Sequence, residues 1–226
     1  NGMHDYTYGA GLALAKIAER FVEERQIRPH TLNILGATPL DFGPQENVDA
    51  MKQKIAQYGW EVLSTWAMGD SLETLSLAGA AEVNLVVSSV GIPAAKVLEE
   101  KFGTPYIIGT PIGEFAEELV QELRESEEIT LIGEAVTMRS LASEIEKKYH
   151  RAVRVICPLE THEGLLGEND RVSRGEEEME ELLKDSRIIV ADPLYRPICP
   201  KSSQFYELPH VAFSGRIFLK KYKKIY

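Results

Sequence analysis

The sequence predicts an α/β protein built from two tandem Rossmann-like, doubly wound parallel-sheet domains. Three observations predict it. Short apolar runs alternate with amphipathic stretches of helical length along the chain. Two of those runs, "TLNILGA" (31–37) and "EITLIGEA" (128–135), end in a small-residue glycine turn, one in each half. A third, "VNLVVSS" (83–89), is a near-continuous apolar run, as expected for a strand covered on both faces of a parallel sheet.

The elements follow in order. Between Tyr8 and Glu24, Leu14, Ile17 and Phe21 recur at helical spacing among charged residues, and Pro29 then leads into a strand at 32–35. Val48, Met51, Ile55 and Tyr58 mark one helix face, with Gly59 as its left-handed stop. "WEVLSTW" (60–66) predicts a strand, and "SLETLSLAGA" (71–80) a helix capped by Ser71 or Asp70. After the strand at 83–89 come a helix from Ile92 to Phe102, a strand at 105–109, and a helix marked by Phe115, Leu119 and Leu123. A charged connector, "LRESEEIT" (123–130), separates this series from a second one. The second runs through strand "ITLI", a helix bearing Met138, Leu141, Ile145 and Tyr149, and strand 152–157. An 18-residue polar loop after Cys157 is long enough to be functional. Helix 176–185, strand 187–192 and a last strand at 209–215 complete the series. The predicted domains are 1–125, with its N-terminal helix, and 126–226.

Composition excludes several classes. The 226 residues carry a net charge of -10, which argues against nucleic-acid or anionic-membrane partners. The one basic cluster, "LKKYKKIY" (219–226), reads as a solvated chain end. Two cysteines without a CxxC fit a reducing compartment. No apolar run approaches the roughly 18–20 residues of a membrane span, and no signal peptide is visible. The chain opens at Asn1 straight into a helical pattern, which predicts a piece of a longer protein.

Neither glycine turn is a phosphate cradle. "GATPLDFG" has no GxGxxG and no Gly-Lys-Ser/Thr, and "GEAVTM" places the Glu134 carboxylate where a pyrophosphate would sit. "CPLETHEG" gathers Cys157, Glu160, His162 and Glu163, donors suited to iron or zinc. A single Cys-x4-His pair suits a buried strand-terminal thiol beside a solvated loop better. Cys199, between prolines, is a packed thiol on the same reasoning. His210 enters its segment from a loop, where hydrogen bonding is commoner than metal duty. Tyr195 and Arg196 follow a strand end and could meet an anion, or form a surface ion pair. The acidic run at 175–182 is a solvated helix start. No nucleophile elbow, HExxH or serine–histidine pairing is present, so no catalytic residue is assigned.

Two long stretches carry a resemblance: "LNILGATPLDFGPQENVDAMKQKIAQYGWEV" and "VNLVVSSVGIPAAKVLEEKFGTPYIIGTPIG". With "LIGEAV", "IIVADPLYRPI" and "LPHVAFSGRIF" they resemble the nitrogenase component 1 family from about residue 5 to 218. Its members include the molybdenum-iron protein chains, cofactor-assembly scaffolds, and the dark-operative protochlorophyllide and chlorophyllide reductases. The resemblance implies the second and third of three Rossmann-like domains around a metallocluster. The missing first domain would supply most of the cluster cysteines. It also implies a cofactor cysteine at the end of the strand "NLVVSS", where this chain has Val87 and Ser88. A cofactor histidine is implied just before a "YSG" segment, and His210 precedes "FSG" one residue closer. His210 is therefore a possible metal residue, whereas the cysteine is absent, which disfavours a molybdenum nitrogenase.

The function so implied is that of a nitrogenase-like oxidoreductase subunit. The intact protein would take electrons from an ATP-dependent iron–sulfur reductase partner and reduce a substrate or cofactor held between its domains. An iron–sulfur cluster or related metallocofactor is expected in the intact protein and none in this piece, which alone should be inactive. A homologous partner subunit, in a heterodimer or heterotetramer, and a cytoplasmic location are expected. The alternatives are a two-lobed small-ligand-binding protein and a metallocofactor-assembly scaffold of the same fold. Ligands bind such sheets at the carboxyl ends of the strands. The predicted cofactor-binding residues there are Gly36, Thr38, Ser88, Ser89, Gly91, Gly133, Glu134, Tyr195, Arg196 and Ser214, with His210 as the metal candidate.

Overall fold

The computed structural model describes residues 3–123 and 128–218. Most of the charged connector (124–127), the basic run at 219–226 and the side chain of Phe115 lie outside the described residues. The chain divides into two compact units between Pro111 and Ile112.

The first unit holds a four-stranded parallel sheet of β1 (Arg28–Leu35), β2 (Glu61–Thr65), β3 (Ala81–Val86) and β4 (Tyr106–Ile108), ordered β2-β1-β3-β4. Its helices are α1 (Tyr6–Phe21), α2 (Pro39–Phe42), α3 (Gln45–Gln57), α4 (Leu72–Ser76) and α5 (Ile92–Phe102). Local chemistry sets their ends. Asp5 caps α1 by accepting the Thr7 N–H at 2.8 Å, Ser71 caps α4, and Gly103 ends α5 at φ 71°. Tyr58 falls beyond the end of α3 and is 72% exposed, so it leaves the face formed by Val48, Met51 and Ile55. The segment read as one helix at 71–80 changes after Ser76 into a 3-10 turn, Leu77–Ala80.

A buried polar chain crosses this sheet. Trp66 Nε1 donates to Ser64 Oγ at 2.9 Å, and Ser64 Oγ donates to Asn33 Oδ1 at 2.7 Å. Asn33 Nδ2 donates to Asn84 Oδ1 at 2.8 Å and to the Ala78 carbonyl at 2.9 Å. Every step pairs a donor with an acceptor, which is what permits amides in a fully buried layer.

In the second unit a five-stranded parallel sheet is ordered β7-β6-β5-β8-β9. Its strands are β5 (Ile129–Ile132), β6 (Arg154–Cys157), β7 (Arg171–Val172), β8 (Ile188–Ala191) and β9 (Gln204–Glu207). The helices are α6 (Glu114–Glu122), α7 (Ala135–Tyr149), α8 (Glu176–Leu183) and α9 (Val211–Ser214). All four residues of both β5 and β8 are buried, which explains why they are apolar apart from Thr130, whose hydroxyl pairs with that of Ser186 at 3.1 Å.

Three expectations change here. The boundary was expected after residue 125, but α6 belongs with the second unit. It packs on α7, and the Tyr149 hydroxyl donates to the Val120 carbonyl. The long polar loop contains the edge strand β7 and is pinned by the buried Asp170. That carboxylate accepts the Val155 N–H at 2.8 Å and the Gly167 N–H at 2.7 Å. The last strand lies at Gln204–Glu207, not at 209–215, where the chain forms α9 instead. The His210 N–H is taken by the Asp192 carboxylate at 2.7 Å and so cannot enter a ladder. Gly215, at φ 59°, then stops the helix.

Candidate functional site

In each sheet the strand order reverses next to the first strand, between β1 and β3 and between β5 and β8. Open α/β sheets bind ligands at such reversals, beyond the carboxyl ends of the strands. The predicted site residues fall at these two places, one in each unit.

At the first reversal the structure brings Gly36, Ser88, Ser89 and Gly91 together, and it closes the space between the two turns. Ser88 Oγ donates to the Gly36 carbonyl at 2.6 Å, and the Val87 N–H donates to the Leu35 carbonyl at 3.0 Å. A Cβ on Gly36 would lie 2.6 Å from the Gly91 nitrogen, and one on Gly91 would lie 2.5 Å from the Leu35 carbonyl oxygen. These glycines are required by backbone-to-backbone contact. Thr38 caps α2, and its hydroxyl donates to Asp41 Oδ2 at 2.6 Å. The other oxygen of the buried Asp41 accepts from the Tyr6 hydroxyl, tying the start of α1 to this turn. Asp41 and Tyr6 were not predicted. "TPLD" is a Thr-x-x-acid capping signal that points to Asp41, but nothing near Tyr6 marks it as the partner.

At the second reversal Glu134 is buried and caps α7, accepting the Thr137 N–H at 2.9 Å. The carboxylate thus takes the place an anion would use. Gly133 is close-packed, since a Cβ there would lie 3.0 Å from Met138 Cγ.

Across from it, Asp192 at the end of β8 is 1% exposed and organises the rest. Its Oδ1 accepts the Leu194 N–H at 2.9 Å. Its Oδ2 accepts the His210 N–H and the Ser214 hydroxyl, both at 2.7 Å. The carboxylate therefore joins the 3-10 turn Pro193–Ile198, which carries Tyr195 and Arg196, to α9, which carries Ser214. Asp192 was missed as a site residue, although an acid before proline at a strand end is a cap signal.

Aromatic contacts complete this corner. His210 stacks on Phe213 with ring centroids 4.4 Å apart, and Tyr195 meets Phe213 edge-on at 5.8 Å. The exposed Arg196 lies over the Phe205 ring, 5.0 Å from its centroid.

Burial favours the neutral forms of Tyr195, Cys199 and His210. It pushes the Tyr195 hydroxyl up to about 12, with the nearby Asp192 carboxylate adding to the effect. It pushes the Cys199 thiol up to about 11 against the opposing pull of Arg196. It lowers the His210 imidazole to about 4.

The last shift predicts a pH dependence. Unfolded, His210 titrates near 6.5, so between pH 6.5 and 4 the unfolded chain binds the extra proton. Stability should therefore fall on acidification through that window, by at most about 3 kcal/mol from this group. Urea unfolding at a series of pH values should show a steeper fall for the wild type than for His210→Asn. Equal slopes would contradict it.

These residues do not fit a metallocluster. Among the described residues no group of three or more His, Cys, Asp or Glu side chains could hold a metal ion. Ser88 Oγ is engaged with the Gly36 carbonyl, and the Cys199 thiol is directed at the Tyr195 carbonyl at 3.1 Å. Cys157 is buried with its thiol directed at the Leu159 carbonyl at 3.5 Å, and Glu160 pairs with Arg174 at 3.2 Å. The "CPLETHEG" donors are thus not assembled into a site.

Comparison with known proteins places the chain. The sequence profile described as nitrogenase component 1 type oxidoreductase matches residues 3–156, more than half of the chain. A light-independent protochlorophyllide reductase chain of Nostoc punctiforme is 37% identical over 84 residues, 37% of this chain and 16% of that protein. Its counterpart from Zygnema circumcarinatum is 34% identical over 84 residues, with the same shares of 37% and 16%. The matches thus span less than a fifth of these relatives. The solved structure of nitrogenase Cp1 at pH 6.5 superposes with a TM-score of 0.57 at 15% identity, over 96% of this chain and 64% of that one. That likeness concerns the fold, and it agrees with two tandem Rossmann-like sheets.

Proposed function

Because the chain belongs to the nitrogenase component 1 type oxidoreductases, we propose that it is part of a reductase subunit fed by an ATP-dependent iron–sulfur partner. Its substrate or cofactor is then reduced at the carboxyl ends of the strands. The observation that carries this reading is the family match over residues 3–156, which takes in the whole first sheet and β5, α7 and all but the last residue of β6 in the second. Similarity to chains that are each named as one subunit of a reductase supports a partner subunit. On this reading the cluster is carried by polypeptide other than the described residues. Among the described residues no helix is long and apolar enough to cross a membrane. A cytoplasmic location is part of the same proposal.

The test is anaerobic purification of the intact protein with whatever co-purifies. Iron, acid-labile sulfide, molybdenum, vanadium and nickel are then quantified, and EPR spectra are recorded before and after dithionite. Iron with labile sulfide and a reducible signal is the expected result. A preparation that is metal-free, and stays so after reconstitution with iron and sulfide, would overturn the proposal in favour of a ligand-binding clamp. A cofactor that is released intact without turnover would favour an assembly scaffold.

A further inference from the structure

The two positions at which the family pattern implies cofactor ligands, Val87–Ser88 and His210, are both committed to contacts within the protein. Val87 is fully buried, and Ser88 Oγ donates to the Gly36 carbonyl at 2.6 Å. His210 is the N-cap of α9: with extended backbone, it accepts the Ala212 N–H at Nδ1 over 3.3 Å. An imidazole nitrogen that accepts a hydrogen bond has its lone pair in that bond, and the neutral ring carries its proton on the other nitrogen. Nε2 is then N–H, and it is buried. A metal needs a free lone pair, so in this tautomer neither nitrogen offers one. Shifting the proton to Nδ1 would free Nε2 only by setting one N–H against that of Ala212. The ring is also clamped against Phe213, and its own backbone N–H is held by Asp192.

We infer that His210 in this chain is a helix-capping latch, set in place by Asp192 and Phe213, and not a metal ligand. The inference holds whether or not the assembled protein is a reductase.

Two variants separate the roles. Asparagine supplies a capping oxygen in place of Nδ1 but is a poor metal donor; alanine supplies neither. Thermal unfolding is measured for the wild type, His210→Asn and His210→Ala, and each is titrated with Co(II) and followed by visible absorption. His210→Asn should keep the wild-type Tm, and His210→Ala should lower it by about 2–4 °C. The Co(II) titrations should be alike in all three. A Co(II) spectrum present in the wild type and lost in His210→Asn, with Tm retained, would overturn the inference. An equal loss of Tm in both variants would overturn the capping role.

Discussion

Gly36→Ala should cost about 2–4 kcal/mol of stability, well above an ordinary glycine replacement. Two penalties combine. The residue sits at φ 91°, where an L side chain is strained by about 1–3 kcal/mol. The new methyl would also lie 2.6 Å from the Gly91 nitrogen and 2.7 Å from Ser88 Oγ. The nearest atom is backbone, so relief requires moving the β3–α5 turn, which the Val87–Leu35 and Ser88–Gly36 hydrogen bonds resist. Overpacking of this kind typically adds about 1–3 kcal/mol. Gly59→Ala is the control, because Gly59 shares the positive φ, at 81°, but has nothing within 4 Å of the added Cβ. It should show the backbone penalty alone, about 1–2 kcal/mol. Urea unfolding of both variants measures the difference. Equal costs would mean that the two turns are not in contact and that the first reversal is an open crevice.

The contrast between these glycines shows what the sequence discloses. Strands such as "ITLI" and "IIVA" are legible because burial on both faces leaves them apolar at every position but Thr130. The helix Ile92–Phe102 is legible at both ends, through Pro93 and Gly103. "QFYE" is not, because an edge strand whose residues are only partly buried has no apolar contrast and gains its identity from pairing with β8. "PHVAFSG" suggests a strand by composition, and only a carboxylate 18 residues earlier makes it a cap and a helical turn. Placing the candidate sites needed only the strand ends, which the glycine breaks mark. Their contents depended on contacts between distant segments: Tyr6 with Asp41, Ser88 with Gly36, Asp192 with Ser214. No local pattern encodes such pairings.

Asp192→Ala is expected to cost about 3–5 kcal/mol, because it strands three donors at once. The Leu194 N–H, the His210 N–H and the Ser214 hydroxyl all point at this buried carboxylate. A buried donor left without a partner costs about 1–3 kcal/mol, and partial relaxation toward water keeps the total below the sum. Ser214→Ala removes one donor together with its need, so it should cost about 1 kcal/mol. Asp192→Asn should fall between them, since its amide keeps one acceptor oxygen but sets an N–H group against the remaining donors. The descending order Asp192→Ala, Asp192→Asn, Ser214→Ala can be read from urea midpoints, and a cost for Asp192→Ala no larger than for Ser214→Ala would refute the hub. NMR titration of His210 gives an independent check. Loss of a nearby anion would by itself push the imidazole further down, whereas release of α9 would expose the ring and bring it back from about 4 toward 6.5. Burial is the cause of the present depression, so exposure should win and the value should rise. A further fall would mean that α9 stays docked without Asp192, and that the carboxylate contributes charge to this corner but does not hold it together.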